Sequence, residues 1–364
     1  MSGVFVAGLG AVSPAGWGVA ALREALKNGQ PLPTQAVERP GWKKPLRARL
    51  VPNPAGRPEF LMHPRLRRAS PITHYAAAAA LEAVAGLRAT EQRPSGLGLI
   101  ACLQSGCVKY SRRFFEETLK DPATASPLLF PETVYAGPAS HVAAVLGSVS
   151  LSYTLVGDPA CFLQGVALGA QWLAERRVAA CVIIGAEESD WILADALWHL
   201  EHAAVISAGA GALCLSTAPE MSLGVELSLI TDAFTYTASK NRAQAAQAMR
   251  QQLTACSPAE LLCTGLGDSP RADAPEAAAW RDWTGSRLYP KRILGEGLMA
   301  VPAWQCVAAC DAVARQQYRA ANVSVVGSNQ MALGARFERT DLCSTSNIQH
   351  WTPKEEVSGA ESLS

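Results

Sequence analysis

Charge is scarce in this sequence. Only 17% of its 364 residues are Asp, Glu, Lys or Arg, against 49% hydrophobic residues. A chain of that length and composition can bury a large core, divided between two domains or held in one large duplicated fold. The formal net charge is +1, which gives no global attraction to nucleic acid or to an acidic membrane surface. Histidine is scarcer still: there are six, and none lies between His202 and His350. No C-x-x-C pair and no cysteine–histidine cluster occurs, which removes the usual ligand spacing for zinc. Long hydrophobic runs are missing too. The longest, near Val205 to Leu215 and Ala179 to Ala186, fall short of the roughly 20 residues that span a bilayer and read as buried strands. The start, Met1 to Gly8, enters a strand-like pattern without a basic region followed by an apolar stretch and a cleavage site. A cytoplasmic location is expected, with the ten scattered cysteines as reduced core residues rather than disulfides.

Strand-like apolar runs alternate with alanine-rich helical ones, which argues for a layered α/β fold. Leu163 to Arg177 has helical spacing, and Val178 to Gly185 and Gly209 to Ser216 read as strands. A second cycle follows, with strands near 222–230, 261–264 and 323–326 and helices near 240–253 and 300–315. Two similar halves are expected: 1–216, with an insertion at about 103–141, and 217–339. Pro31 to Arg68 looks irregular, and 340–364 looks like a polar tail. Gly8-Leu9-Gly10 is followed by Ser13 where a dinucleotide-binding turn needs its third glycine, so no NAD site and no other cofactor is expected.

Gly157-Asp158-Pro159-Ala160-Cys161-Phe162 is a loop built to present a thiol at the start of a helix. A helix N-terminus can lower a thiol pKa, but a cysteine nucleophile normally also has a nearby base or cation. The plain alternative is that Cys161 is one more small buried hydrophobe.

Several collinear motifs resemble the β-ketoacyl synthase family, the condensing enzymes of fatty-acid and polyketide synthesis, within the thiolase superfamily. Gly8 to Gly16 resembles the first strand and loop, Pro131-Glu132-Thr133-Val134 with Ala139-Ser140-His141-Val142 a dimer-side segment, and Asp158-Pro159-Ala160-Cys161 the nucleophile motif. Gly209 to Leu213 is similar to a glycine-alanine strand start. Thr264 to Asp268 with Glu276-Ala277-Ala278 is similar to the first histidine loop, Lys291 to Glu296 to the lysine and second histidine loop, and Val325 to Asn329 to the closing glycine-rich turn. The matches span about residues 4 to 338. The resemblance implies a thiolase-like, five-layered αβαβα sandwich of two related halves, and a dimer formed by pairing of central strands.

The resemblance also implies where the chain departs from the family. Cys263 and Glu296 stand at the positions of the two histidines, with Lys291 retained. A thiol is a weak donor, and an ionised glutamate repels both a malonyl carboxylate and its enolate. Losing one oxyanion donor typically costs on the order of 100-fold to 1000-fold. Val326 replaces a bulky aromatic gate, and Phe162 replaces a small residue beside the sulfur, narrowing the acyl tunnel. The expected function is therefore a non-condensing subunit of the chain-length-factor type, as in type II polyketide or aryl polyene systems, paired with an active ketosynthase subunit. The rival is an acyltransferase, condensing enzyme or thioesterase that uses Cys161 with a Cys263, Glu296 and Lys291 site. An acidic acyl carrier protein is an expected partner. Residues 39–68 carry nine lysines and arginines against Glu59 alone, and Lys109, Arg112, Arg113, Arg176 and Arg177 add positive charge. No nucleic-acid partner is expected.

Overall fold

The computed structural model describes residues 3–88, 96–202, 204–237, 239–253, 257 and 259–340. Its ten principal strands are β1 (Phe5–Ser13), β2 (Leu97–Leu103), β3 (Val149–Val156), β4 (Ala180–Glu187), β5 (Gly209–Ser216), β6 (Val225–Ile230), β7 (Glu260–Thr264), β8 (Ser286–Leu288), β9 (Ala320–Val326) and β10 (Met331–Arg339). The hydrogen-bonded order is β8-β7-β9-β10-β6-β1-β5-β4-β2-β3, with two short strands attached beside it. The path is two copies of one pattern. In the first five strands the third, second and fourth run parallel, and the fifth is antiparallel to the fourth and to the first. The second five repeat this. The copies meet where Phe5 of β1 pairs with Glu226 of β6.

Helices fill three layers. α1 (Val19–Asn28) flanks the centre. On one outer face α2 (Pro71–Ala83) packs on β1, β4 and β5, and α4 (Gly137–Leu146) on β2 and β3; α3 (Val108–Lys120) lies between these two helices in sequence. Between the half-sheets run α5 (Cys161–Ala174) and, after α6 (Trp191–Leu200), α7 (Ser239–Gln252), α8 (Pro270–Ala279) and the short α9 (Pro290–Leu294), the helix α10 (Ala300–Ala314). α7 and α8 cover the far face against β9 and β10. This is the αβαβα sandwich the resemblance implied.

Sequence pattern explains the layers. α10 is apolar around most of its circumference and lies between two sheets, so nearly every residue from Ala300 to Val313 is buried. It approaches β5 so closely that a Cβ on Gly211 would lie 2.8 Å from that of Ala303, leaving room only for glycine. Trp304 fixes this approach: its indole N–H donates to the carbonyls of Val12 and Ala210, both at 3.0 Å. The eight described cysteines are unpaired and buried; Cys256 and Cys343 lie outside the described residues.

Some expectations need correction. Pro31 to Arg68 is not irregular throughout: Gln35–Val37 and Leu46–Arg49 form a small sheet with Ile206–Ser207, because Leu46 and Ala48 point into a cluster with Ala194 and Ile206. The helix expected from Leu163 begins two residues earlier, at Cys161, and ends at Ala174. Arg112 and Arg113 are not free positive charges, since Asp190, Glu116 and Glu117 neutralise them. The polar tail lies outside the described residues beyond Thr340. Among the described residues no helix is long and apolar enough to cross a membrane.

Candidate functional site

The elbow between β3 and α5 is held by Asp158. Its backbone carbonyl accepts from Cys161 N at 2.9 Å, and its carboxylate accepts from the N–H groups of Ala160, Gln330 and Met331 at 3.1, 3.0 and 3.4 Å. This carboxylate clamps the turn after β9 onto the elbow, and a Cβ on Gly327 would lie only 2.0 Å from its Oδ2. Cys161 opens α5 as the sequence implies, but its thiol is not activated there. Burial, aided by the Asp158 charge, pushes its pKa up to about 11, so the expected lowering by the helix terminus is overridden and the thiol is neutral at pH 7.

Phe162 is completely buried. Its ring lies against Gly185 where α10 crosses β4: a Cβ on Gly185 would sit 2.9 Å from the ring and from Ala303 Cβ. The aromatic side chain thus fills the space between β4 and the start of α10. Two cavities, of about 610 and 210 Å³, lie elsewhere, and Cys161 lines neither.

A charged group stands at the start of α10. Lys291 Nζ lies 2.5 Å from Glu296 Oε2, and Glu296 Oε1 accepts from Leu298 N at 3.0 Å. Burial works against the lysine's charge, but Glu296, then Asp273 and Glu201, outweigh it and raise its pKa. Gly267 gives Lys291 its place, since a Cβ there would lie 3.1 Å from Lys291 Cε. Asp273 holds this loop by accepting from Gly267 N and Ser269 N at 3.0 and 3.2 Å. Behind it Glu276 accepts from Ser324 Oγ at 2.6 Å and from Gly265 N at 3.2 Å, and burial raises its pKa to about 7.

The structure brings Lys291 and Glu296 together. It does not bring Cys263 to them: this residue is fully buried inside β7, against Cys306 and Cys310 of α10, and burial alone raises its thiol pKa. Val326 faces away from Phe162. It packs in the outer cluster with Tyr236, Met249 and Leu262, while Phe162 belongs to the central one. Sequence reasoning missed Asp158, Asp273 and Glu276, although Asp158 and Glu276 lie inside the quoted motifs, and it missed Glu201 and Arg242 altogether. Arg242 Nη2 donates to the Val326 carbonyl at 3.2 Å. Glu201, which follows α6, lies within electrostatic reach of Lys291, Glu296, Asp273 and Arg242.

Chemically, this arrangement has a neutral buried thiol and a lysine whose charge a carboxylate balances. Among the described residues it offers no imidazole to take up or donate a proton, and the Glu296 carboxylate beside Lys291 disfavours a developing enolate.

No protein-family model matches the chain, and no curated protein does. Solved structures do match. "The ishigamide ketosynthase/chain length factor" superposes with a TM-score of 0.75 at 18% identity, covering 93% of this chain and 99% of that one. A ketosynthase (ApeO) in complex with its chain length factor (ApeC) from Xenorhabdus doucetiae gives 0.74 at 12%, covering 93% and 98%. A β-ketoacyl synthase from Burkholderia phymatum gives 0.72 at 16%, covering 93% and 99%. At such identities the likeness establishes the thiolase-like ketosynthase fold.

Proposed function

We propose that this chain is a non-condensing subunit, of the chain-length-factor type, of a heterodimeric β-ketoacyl-acyl-carrier-protein synthase that elongates fatty-acid or polyketide-type acyl chains. The observation that carries the reading is the Lys291–Glu296 pair. In a condensing site this position needs a donor that stabilises an enolate, and a carboxylate committed to a lysine supplies none. The neutral Cys161 thiol and the buried Phe162 ring packed at Gly185 support the same reading. The rival acyltransferase or thioesterase reading keeps Cys161 as nucleophile, but among the described residues no base is hydrogen-bonded to the thiol to activate it.

The partners in this reading are an active ketosynthase subunit and an acyl carrier protein, in the cytoplasm, and the halves divide as 1–216 and 217–339. Support for a partner surface comes from α3. It buries no residue of its own, and Phe115 and Leu119 are exposed beside Leu128 and Phe130, an apolar patch of the kind that marks association. Phe162 shapes the shared tunnel; Val326 contributes through its backbone carbonyl, which holds Arg242. The test is reconstitution of acyl elongation with malonyl and acyl carrier-protein thioesters. The isolated chain is expected to make no product, and the pair with its ketosynthase is expected to make product that survives Cys161→Ala in this chain.

A further inference from the structure

The hairpin of Gln35–Val37 and Leu46–Arg49 is fastened at both ends. Its base pairs with Ile206–Ser207, and Ser207 N donates to the Glu296 carbonyl at 2.9 Å. Its tip is fastened to α6 through Arg39. The guanidinium carbon lies 3.7 Å from the ring centre of Trp42, on the same tip, and 5.4 Å from that of Trp198 on α6. Indole faces attract a guanidinium, and Arg39 is only 7% exposed although Trp42 is 61% exposed.

Among the described residues, both polar contacts of this guanidinium run through Nη2. One is an ion pair with Asp195 of α6; the other is a hydrogen bond to Nε2 of His199, one turn further along, at 3.1 Å. Its Nε is buried without a partner. Arginine has donors only and stays protonated, so His199 Nε2 is the acceptor and the imidazole is neutral. Asp195 also lies 3.7 Å from that same nitrogen. One carboxylate therefore stands between a permanent cation and a ring that can become one.

We propose that Arg39, Asp195 and His199 form a proton-operated clasp that releases the hairpin tip from α6 on acidification. When His199 takes up a proton from solvent, Nε2 becomes a donor, its bond to Arg39 is lost, and Asp195 turns from Arg39 to the new imidazolium. Imidazoles titrate between about pH 5 and 8, and the His199 side chain is 56% exposed. Among the described residues, Arg39 and His199 form ion pairs with Asp195 alone. Arg49 of the hairpin donates instead to the carbonyls of Leu32 and Arg292, and neither Glu38, Lys43, Lys44 and Arg47 nor Glu201 after α6 pairs with the clasp. His202 is a second imidazole nearby, with its ring centre 4.6 Å from that of Trp198, so it serves as the control. The inference goes beyond the proposed function, since it concerns one hairpin and no partner.

The test is hydrogen–deuterium exchange of the purified full chain at pH 7.5 and 5.5, read by mass spectrometry of peptides covering residues 36–48. Exchange times are scaled to the intrinsic rate at each pH. The clasp predicts that protection of this segment falls at least fivefold at pH 5.5 in wild type and in His202→Gln. His199→Gln keeps an acceptor without a titrating group and is expected to stay protected at both pH values. Arg39→Met is expected to be unprotected at both. Residues 300–314, in the buried α10, are expected to stay protected throughout. Equal wild-type protection at the two pH values overturns the clasp, as does a fall in His199→Gln as large as in wild type. Arg39→Met protected like wild type at pH 7.5 also overturns it. So does loss of protection in step at 300–314, which marks acid unfolding of the whole chain instead.

Discussion

At Glu296 both carboxylate oxygens are committed, one to Lys291 and one to the backbone of Leu298. A histidine there could release and reclaim a proton near neutrality, whereas this carboxylate serves as a fixed counter-ion. Replacing Glu296 by Gln leaves Lys291 without its partner. The expected result is a loss of about 1–3 kcal/mol in denaturant unfolding and no gain of malonyl decarboxylation. The Cys161 thiol gives a second prediction. With a pKa pushed up to about 11, its alkylation rate should keep rising with pH well past 9, where an ordinary thiol has levelled off. Glu276 gives a third. Its folded pKa of about 7 lies above the ordinary value of 4.5, so the folded state binds the proton more tightly. Stability should therefore fall as pH rises from about 4.5 to about 7, by at most about 3 kcal/mol, and Glu276→Gln should flatten that slope in unfolding curves. At this scale Cys161, Lys291 and Glu296 were legible because each sits inside a local motif. Glu201 and Arg242 were not, because their roles come from segments that only the fold brings together.

Among the elements, the central layer carries the strongest packing constraint. Trp304 is fully buried and hydrogen-bonded to both β1 and β5, so Trp304→Ala should cost ~3–5 kcal/mol in chemical denaturation. The α3 surface behaves oppositely. Phe115 and Leu119 are 62% and 69% exposed, so changing both to Ser should leave the chain's own stability within about 0.5 kcal/mol. Under the proposed function the same change should weaken association with a ketosynthase subunit at least tenfold in analytical ultracentrifugation. Periodicity revealed α5, α10, β4 and β5 because each buries one consistent pattern. It concealed the strands within Pro31 to Arg68, where Leu46–Arg49 is fixed by pairing with the distant Ile206–Ser207 and Gln35–Val37 in turn pairs with it, rather than by their own composition. The setting of Cys263 was hidden for a related reason. Alignment by motif places it near the first histidine loop, but β7 carries it into the core one residue before the strand ends.

Over the whole molecule, the repeated strand order explains why two helix starts, at Cys161 and Ala300, come to lie near one another between the half-sheets. That geometry suits a condensing site, yet here it holds an aromatic ring, a neutral thiol and balanced charges. The duplicated fold was legible in the sequence because strand and helix patterns recur in order along both halves. The association expected of it was less so, since an apolar patch on α3 becomes visible only when the fold leaves Phe115 and Leu119 exposed. Under the proposed function this chain supports condensation without performing it. The most direct measurement follows acyl elongation by the reconstituted pair, with Cys161→Ala in this chain and, separately, with the nucleophilic cysteine removed from the ketosynthase partner. The account predicts that product persists in the first case and vanishes in the second. Product lost with Cys161→Ala, or formed by this chain alone, would contradict it.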